Sequence, residues 1–325
     1  MMQLLDWHQP QWHQLMESLS QSRLPHAMLL AGPEGVGKSE FANLLAARLL
    51  CLNPVEHLPC GNCKSCLLVQ AGTHPDWAQL GREDDSKLIK VDQIRELVDF
   101  TSKTAQMSGF KVVTIKEADT MNIASANALL KTLEEPSAET VILLISGRPS
   151  SLSATVRSRC QTIRFPIPST DQGMRWLASH TDQPEDALAS LLHVAGGAPF
   201  KAVELMQRNW LLVRREWLNH LASIRMGQES PLSIADKAVS AFKEDLGRFL
   251  REWLNWTQSW MLALNVPELA DEDARETMAF MQPRASANCL SLWHDRLLES
   301  IKVLGSNPNP QLLFEDLLLF WSQLK

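Results

Sequence analysis

The stretch "GPEGVGKS" at residues 32–39 has residue types and spacing that could bind phosphate. It fits the pattern G-x-x-x-x-G-K-[ST], with an apolar run before it and a helical pattern after it. Gly32, Gly35 and Gly37 allow close backbone approach to an anion, and successive N–H groups would form a nest around it. Lys38 would reach the β- and γ-phosphates and Ser39 would bind Mg²⁺. The loop predicts a site for ATP with Mg²⁺; the alternative is a glycine-rich turn that binds nothing.

The residues needed for hydrolysis are incomplete. Hydrolysis needs an acid that holds the metal and a group that orients water. In "VVTIKEADTM" (112–121) the place of the acid holds Lys116, whose ammonium has no lone pair for a metal. Glu117 could orient water, whereas Asp119 lies past the strand end and would need an unusual turn to replace the acid. We expect the chain to bind nucleotide without hydrolysing it efficiently.

Four cysteines have the spacing of a metal site. Cys51, Cys60, Cys63 and Cys66 form the pattern C-x8-C-x2-C-x2-C. Four thiolates complete a tetrahedral shell around Zn²⁺ and leave no open position, so the predicted role is structural. The ion would order the loop at 52–66. An Fe–S cluster remains an alternative, and iron or a brown colour in the purified protein would favour it.

Strand and helix patterns alternate around these residues. Short apolar runs at 26–30, 111–115 and 141–145 are typical of parallel strands that are buried on both faces. Amphipathic patterns over "SEFANLLAARLLC", "DQIRELVDFTSK" and "ANALLKTLEEP" predict helices between them. This alternation indicates a doubly wound α/β domain over 1–166.

The rest of the chain shows only helical patterns. We predict a small helical block at 167–207 and a larger one at 208–325 that is rich in Trp and Leu. The Trp and Leu residues of the larger block could form its own core or a surface that is buried between subunits.

Composition limits the function classes. The net charge of −6 gives no sign of a general nucleic-acid binder, so any DNA contact should be local or made through partners. No stretch has the length and apolar character of a membrane span, which predicts a soluble cytoplasmic protein. In a reducing compartment the 6 cysteines are not expected to form disulfides.

Several of these motifs together resemble one known family. "RLPHAMLLAGPEGVGKS", the cysteine spacing, "NALLKTLEEP" (127–136) and "SRC" (158–160) resemble bacterial clamp-loader subunits of the AAA+ class. "AGTHPDW" (71–77) and the ending "NPNPQLLFEDLLLFW" resemble a stator-like member rather than the gamma/tau type. The resemblance implies an α/β P-loop (AAA+) domain with an inserted zinc module, followed by a small helical lid and an all-α collar domain for oligomerisation.

The resemblance also implies partners. Such a subunit would join gamma/tau and delta subunits in a hetero-pentamer of the DNA polymerase III holoenzyme, a DNA-directed nucleotidyltransferase. The complex would open a sliding clamp and place it on primed DNA, with no membrane involved. The chain itself is not expected to catalyse a reaction alone.

Individual residues receive roles from the same resemblance. Arg159 of "SRC" matches an arginine finger that reaches a neighbour's ATP site in trans, whereas Arg157 does not match. The four cysteines match the zinc ligands. Ser146 is either a polar nucleotide sensor or a serine that caps its own strand. Phe200 stands where active relatives have a sensor arginine.

Two other functions remain open at this point. One is an ATP-hydrolysing gamma/tau-type motor, which Lys116 and Phe200 disfavour. The other is an unrelated P-loop or zinc module that binds nucleic acid directly, which the acidic balance disfavours. A steep salt dependence of DNA binding by the isolated chain would support the second.

Overall fold

The computed structural model divides the chain into two compact units, Met1–Glu204 and Leu205–Lys325. The residues described below are 3–83, 86, 88–107, 109–136, 139–242, 246–269, 272–281, 285–304 and 308–324. The predicted boundary between residues 166 and 167 falls inside the first unit and remains a prediction.

The first unit is built on a five-stranded parallel sheet with the strand order β2-β3-β4-β1-β5. The strands are β1 (Ala27–Ala31), β2 (Trp77–Leu80), β3 (Lys111–Ile115), β4 (Thr140–Ser146) and β5 (Gln161–Arg164). The three strands predicted from apolar runs are confirmed as β1, β3 and β4. These three are buried along their whole length, as strands at the centre of a parallel sheet should be.

Helices cover both faces of this sheet. They are α1 (Gln9–Ser20), α2 (Lys38–Leu50) and α3 (Lys64–Gln70) on one face and α4 (Val91–Ser102), α5 (Ile123–Glu134) and α6 (Ala154–Arg157) on the other. The helices α7 (Thr170–Ala178), α8 (Glu185–Val194) and α9 (Pro199–Gln207) follow β5, and the division between the two units falls within α9. Alternate residues of β1 point to opposite faces. Met28 packs in a cluster with Leu15 and Phe41, whereas Leu29 packs in another with Ile94 and Leu129. The predicted doubly wound arrangement is confirmed.

The second unit is helical throughout the part that the structure describes. Its helices are α10 (Trp210–Arg225), α11 (Pro231–Phe242), α12 (Leu246–Asn265), α13 (Glu272–Met281), α14 (Ala287–Val303) and α15 (Pro310–Gln323). Five tryptophans form the centre of its core: Trp253, Trp256, Trp260, Trp293 and Trp321. Two of them, Trp260 and Trp321, stack with ring centroids 5.7 Å apart. The tryptophans therefore stabilise this unit from within.

No helix in the described ranges combines the length and apolar character that a bilayer span requires.

Candidate functional site

The phosphate loop connects the end of β1 to the start of α2. Gly35 and Gly37 adopt left-handed φ values of 77° and 91°, which a side chain would strain. A Cβ at Gly35 would lie 2.6 Å from the backbone nitrogen of Lys201, and one at Gly37 would lie 2.7 Å from Leu5. Glycine is therefore required at both positions. Ser39 is the second residue of α2, as the pattern predicts.

Lys38 lies across this loop. Its Nζ donates hydrogen bonds to the carbonyl oxygens of Gly32, at 2.7 Å, and Pro33, at 2.5 Å. An ammonium has three hydrogens, so one remains for a further acceptor such as a phosphate oxygen. Burial lowers the pKa of Lys38 to about 8, although the carboxylates of Glu34 and Asp119 act in the opposite direction. An anion bound in the loop would stabilise the charged form of this side chain.

The place expected for the metal acid lies at the end of β3. Lys116 follows this strand, and its backbone N–H donates to the carbonyl of Leu80 at 2.7 Å. Glu117 has a left-handed φ of 49° and forms an ion pair with Arg82. Arg82 Nη2 lies 3.1 Å from Glu117 Oε1. The carboxylate predicted to orient water is therefore engaged by a guanidinium in this conformation.

Asp119 is the residue that sequence analysis placed outside the site. The left-handed backbone at Glu117 is the unusual turn that was required, and it brings Asp119 beside the end of β4. The Asp119 side chain is only 4% exposed. Its carboxylate accepts hydrogen bonds from Ser146 Oγ at 2.8 Å and from the Gly147 N–H at 3.2 Å, and it pairs with Arg148. Ser146 Oγ also accepts from the Arg148 N–H at 3.1 Å, so the serine caps its own backbone after β4 as well as donating to an acid near the phosphate loop.

Phe200, which sequence analysis expected at the position of a sensor arginine in active relatives, lies against the phosphate loop. Its backbone N–H donates to the Gly35 carbonyl at 2.9 Å. Its ring packs on Trp176 with centroids 4.4 Å apart, and Trp176 in turn stacks on His180. An aromatic ring can exclude water here, but it cannot supply the charge of an arginine.

The four predicted zinc ligands converge. All four Sγ atoms lie within 4.8 Å of one another. The Cys51–Cys60 distance is 3.6 Å, and the Cys51–Cys63 and Cys60–Cys66 distances are 3.9 Å. Zn–S bonds of about 2.3 Å in a tetrahedron place the sulfurs about 3.8 Å apart. The observed spacing therefore fits a Zn²⁺ ion bound by four thiolates.

Backbone donors support thiolates in this cluster. The N–H groups of Cys60, Cys63 and Cys66 donate to the sulfurs of Cys51, Cys60 and Cys63 at 3.3–3.4 Å. Such bonds stabilise a negative sulfur, which is the form that binds a metal.

Arg159 lies in a side-chain network after α6. Its Nε lies 2.6 Å from Glu134 Oε1, and the two side chains form an ion pair. Its Nη1 donates to the Thr155 carbonyl at 3.0 Å. The guanidinium is about one-third exposed and the carboxylate about half exposed. Exposed pairs of this kind are weak, so Glu134 can give up Arg159 to a stronger anion.

Arg159 and the phosphate loop lie at opposite ends of two neighbouring strands, Arg159 before the amino end of β5 and the loop after the carboxyl end of β1. Strand β5 runs parallel to β1, with Gln161 beside Met28 and Arg164 beside Ala31. The phosphate loop follows Ala31, whereas Arg159 precedes Gln161. The paired segment is about 10 Å long at about 3.3 Å per residue. The structure therefore brings together Lys38, Asp119 and Ser146 but not Arg159.

Strand β1 running into a glycine-rich loop and then into α2 defines a P-loop α/β protein. A sequence profile of the family described as "DNA polymerase III, delta subunit" matches residues 7–169. The chain is 37% identical to DNA polymerase III subunit delta′ of Pseudomonas aeruginosa, over 100% of this chain and 99% of that protein. It is 38% identical to the Escherichia coli subunit delta′, over 63% of this chain and 61% of that protein.

The chain belongs to the family of DNA polymerase III delta′ subunits. Among solved structures it is similar to a DNA polymerase III gamma subunit-related protein from Thermotoga maritima. That similarity covers 95% of this chain and 99% of the other, with 18% identity and a TM-score of 0.47.

Proposed function

We propose that the chain is a stator-like clamp-loader subunit of the DNA polymerase III holoenzyme. It binds ATP with Mg²⁺ without hydrolysing it efficiently, and it lends Arg159 to the ATP site of a neighbouring subunit. Its partners are gamma/tau and delta subunits in a hetero-pentamer that places the sliding clamp on primed DNA. The observation that carries this proposal is that Arg159 lies at the amino end of β5, whereas the phosphate loop lies at the carboxyl end of the neighbouring β1.

We expect an arginine at the opposite end of the strands from its own phosphate loop to serve an ATP site in another chain. Repeating such a contact from subunit to subunit gives a head-to-tail arrangement. In it the Arg159 end of each α/β domain faces the phosphate loop of the next domain. A guanidinium placed there stabilises charge that develops on the γ-phosphate. Glu134 holds Arg159 through a weak, exposed pair in the free chain, and a triphosphate competes effectively with that carboxylate.

The chain's own phosphate loop supports binding more than turnover. The left-handed backbone at Gly35 and Gly37, and the position of Lys38 across the loop with one hydrogen left to donate, support the binding of a triphosphate. Lys116 cannot bind a metal, and Glu117 is paired with Arg82. The proposed role of a bound nucleotide is therefore structural. The zinc module is structural as well, because four thiolates leave no position open for substrate.

The test is the ATPase rate of a complex reconstituted from this chain with its gamma/tau and delta partners. Arg159→Ala should leave assembly intact and lower turnover at the affected site by about 10³. Arg157→Ala is the matched control, because Arg157 has the same charge two residues away and its Nη1 donates to the Pro149 carbonyl at 3.4 Å. Equal turnover in the wild type and Arg159→Ala would refute the role of Arg159 as an arginine finger.

One observation favours a second candidate, an ATP-hydrolysing motor of the gamma/tau type. Asp119 is an acid near Lys38 and beside Ser146. If its carboxylate replaces the missing metal ligand, the isolated chain should hydrolyse ATP, and Asp119→Asn should abolish that turnover. Bound ATP without turnover in the wild type would eliminate this candidate.

A further inference from the structure

Two side chains from the N-terminal segment bond to the outer surface of the phosphate loop. Trp7 Nε1 and His8 Nε2 both donate to the Val36 carbonyl, each at 2.9 Å. Because a carbonyl oxygen only accepts, the His8 hydrogen must be on Nε2. The neighbouring carbonyl, that of Gly35, accepts from the Phe200 N–H at 2.9 Å. Two successive peptide groups of the loop are therefore held from outside.

These bonds determine where the N–H groups of the loop point. In a trans peptide the C=O and N–H bonds lie on opposite sides. Since the carbonyls of Gly35 and Val36 face outwards, the N–H groups of Val36 and Gly37 face the other way, away from Trp7, His8 and Phe200. Neighbouring N–H groups with one direction, followed by a helix N-terminus, form an anion nest.

The two side chains that donate to Val36 are themselves held in place. Trp7 and His8 are both buried. The Trp7 ring makes an edge contact with Trp176 at 6.1 Å, and the His8 ring makes edge contacts with Phe165 at 5.0 Å and Phe41 at 5.5 Å. Burial lowers the pKa of His8 to about 4, although its bond to Val36 acts in the opposite direction. The imidazole therefore stays neutral near pH 7 and adds no charge beside Lys38.

We propose that Trp7 and His8 are positioning residues that hold the phosphate loop in its anion-binding conformation. This inference rests on the proposed nucleotide binding and deepens it: the N-terminal segment acts on a triphosphate through the Val36 carbonyl, without touching the ligand. Since the loop is already arranged before ligand arrives, less conformational freedom is lost on binding.

The test is the Kd for MgATP of the full chain, measured by calorimetry in matched variants. Trp7→Phe removes one donor to Val36 and should weaken binding about three- to tenfold. Trp12→Phe is the control: Trp12 is buried in α1, and its indole N–H has no hydrogen-bond partner among the described residues. This variant should bind MgATP as the wild type does.

A second pair of variants tests the same role at His8. His8→Gln keeps an N–H donor and should bind MgATP more tightly than His8→Leu.

A local measurement separates positioning from general destabilisation. In the free chain, Trp7→Phe should speed hydrogen exchange at the amide of Phe200, which donates to the loop carbonyl of Gly35, while the amides of β4 remain as protected as in Trp12→Phe. Equal affinity and equal exchange in Trp7→Phe and the wild type would overturn the positioning role and leave the proposed nucleotide binding in place. A wild type that does not bind MgATP would instead overturn the nucleotide part of the proposed function, and this inference with it.

Discussion

Ser146 donates a hydrogen bond to Asp119 across the carboxyl ends of β4 and β3, with 2.8 Å between Oγ and Oδ1. Asp119 also accepts from the Gly147 N–H and pairs with Arg148. This buried carboxylate therefore ties together two chain segments that border the phosphate loop.

Removing the Asp119 carboxylate should destabilise the first unit. Asp119→Ala leaves the buried hydroxyl of Ser146 and the half-buried N–H of Gly147 without their acceptor, and such a loss costs about 1–3 kcal/mol. The measurement is the free energy of unfolding from urea denaturation. Asp182→Ala, at an exposed position, is the control and should change it by less than about 0.5 kcal/mol. Equal stability of the two variants would mean that the network contributes nothing.

Nucleotide affinity should decrease as the pH rises through about 8. Burial lowers the pKa of Lys38 to about 8 in the free chain, and a bound phosphate should raise it by favouring the ammonium. Above the free-chain value ATP must bind together with a proton, so the affinity should fall up to about tenfold per pH unit. Calorimetric Kd values between about pH 7 and 9.5 test this.

Lys38→Arg provides the matched control for this pH dependence. A guanidinium keeps its charge over the whole range, so the profile should become flat even if the affinity itself is lower. A wild-type profile as flat as that of Lys38→Arg would show that the Lys38 charge does not titrate in this range.

The purified protein should contain one zinc ion per chain and no iron. The four thiolates have tetrahedral spacing, and elemental analysis with a visible spectrum distinguishes Zn²⁺ from an Fe–S cluster. Cys63→Ser should lose the metal. Cys160→Ser should keep it, since Cys160 lies outside the cluster and is half-buried. Stoichiometric iron, or full zinc retention in Cys63→Ser, would contradict the assignment.

The sequence predicts the parts of this fold that depend on local patterns. The apolar runs of β1, β3 and β4 identify strands that are buried on both faces, and the cysteine spacing identifies the four thiols that converge. Strands β2 and β5 carry no such run, because only Trp77 of β2 and Ile163 of β5 are fully buried. Their pairing depends on neighbours that are distant in sequence.

Contacts within the site are less predictable than its motifs. The position of Asp119 depends on a left-handed backbone at Glu117, a conformation that this residue type gives no reason to expect. The bonds from Trp7 and His8 to Val36 join residues almost 30 positions apart. The tryptophan at position 7 and the histidine beside it form no motif that would indicate a loop partner.

Deleting residues 210–325 should abolish assembly with the proposed gamma/tau and delta partners while the first unit still folds. The first unit has its own two-sided core around the sheet, and the second has its own tryptophan core. The truncated chain should therefore unfold cooperatively and retain zinc. Gel filtration with the partner subunits tests assembly, and a truncated chain that co-elutes with them would refute the role of the second unit.

Surface variants of the full chain test the same role without truncation. Leu212 and Leu312 are 72% and 62% exposed on the second unit, where apolar side chains suit contact with another subunit. Leu212→Asp and Leu312→Asp should each reduce co-elution with little effect on unfolding, because neither side chain is part of the core. Leu67→Asp, at a side chain 54% exposed on α3 of the first unit, is the control. If all three variants assemble equally well, contacts elsewhere must hold the complex together.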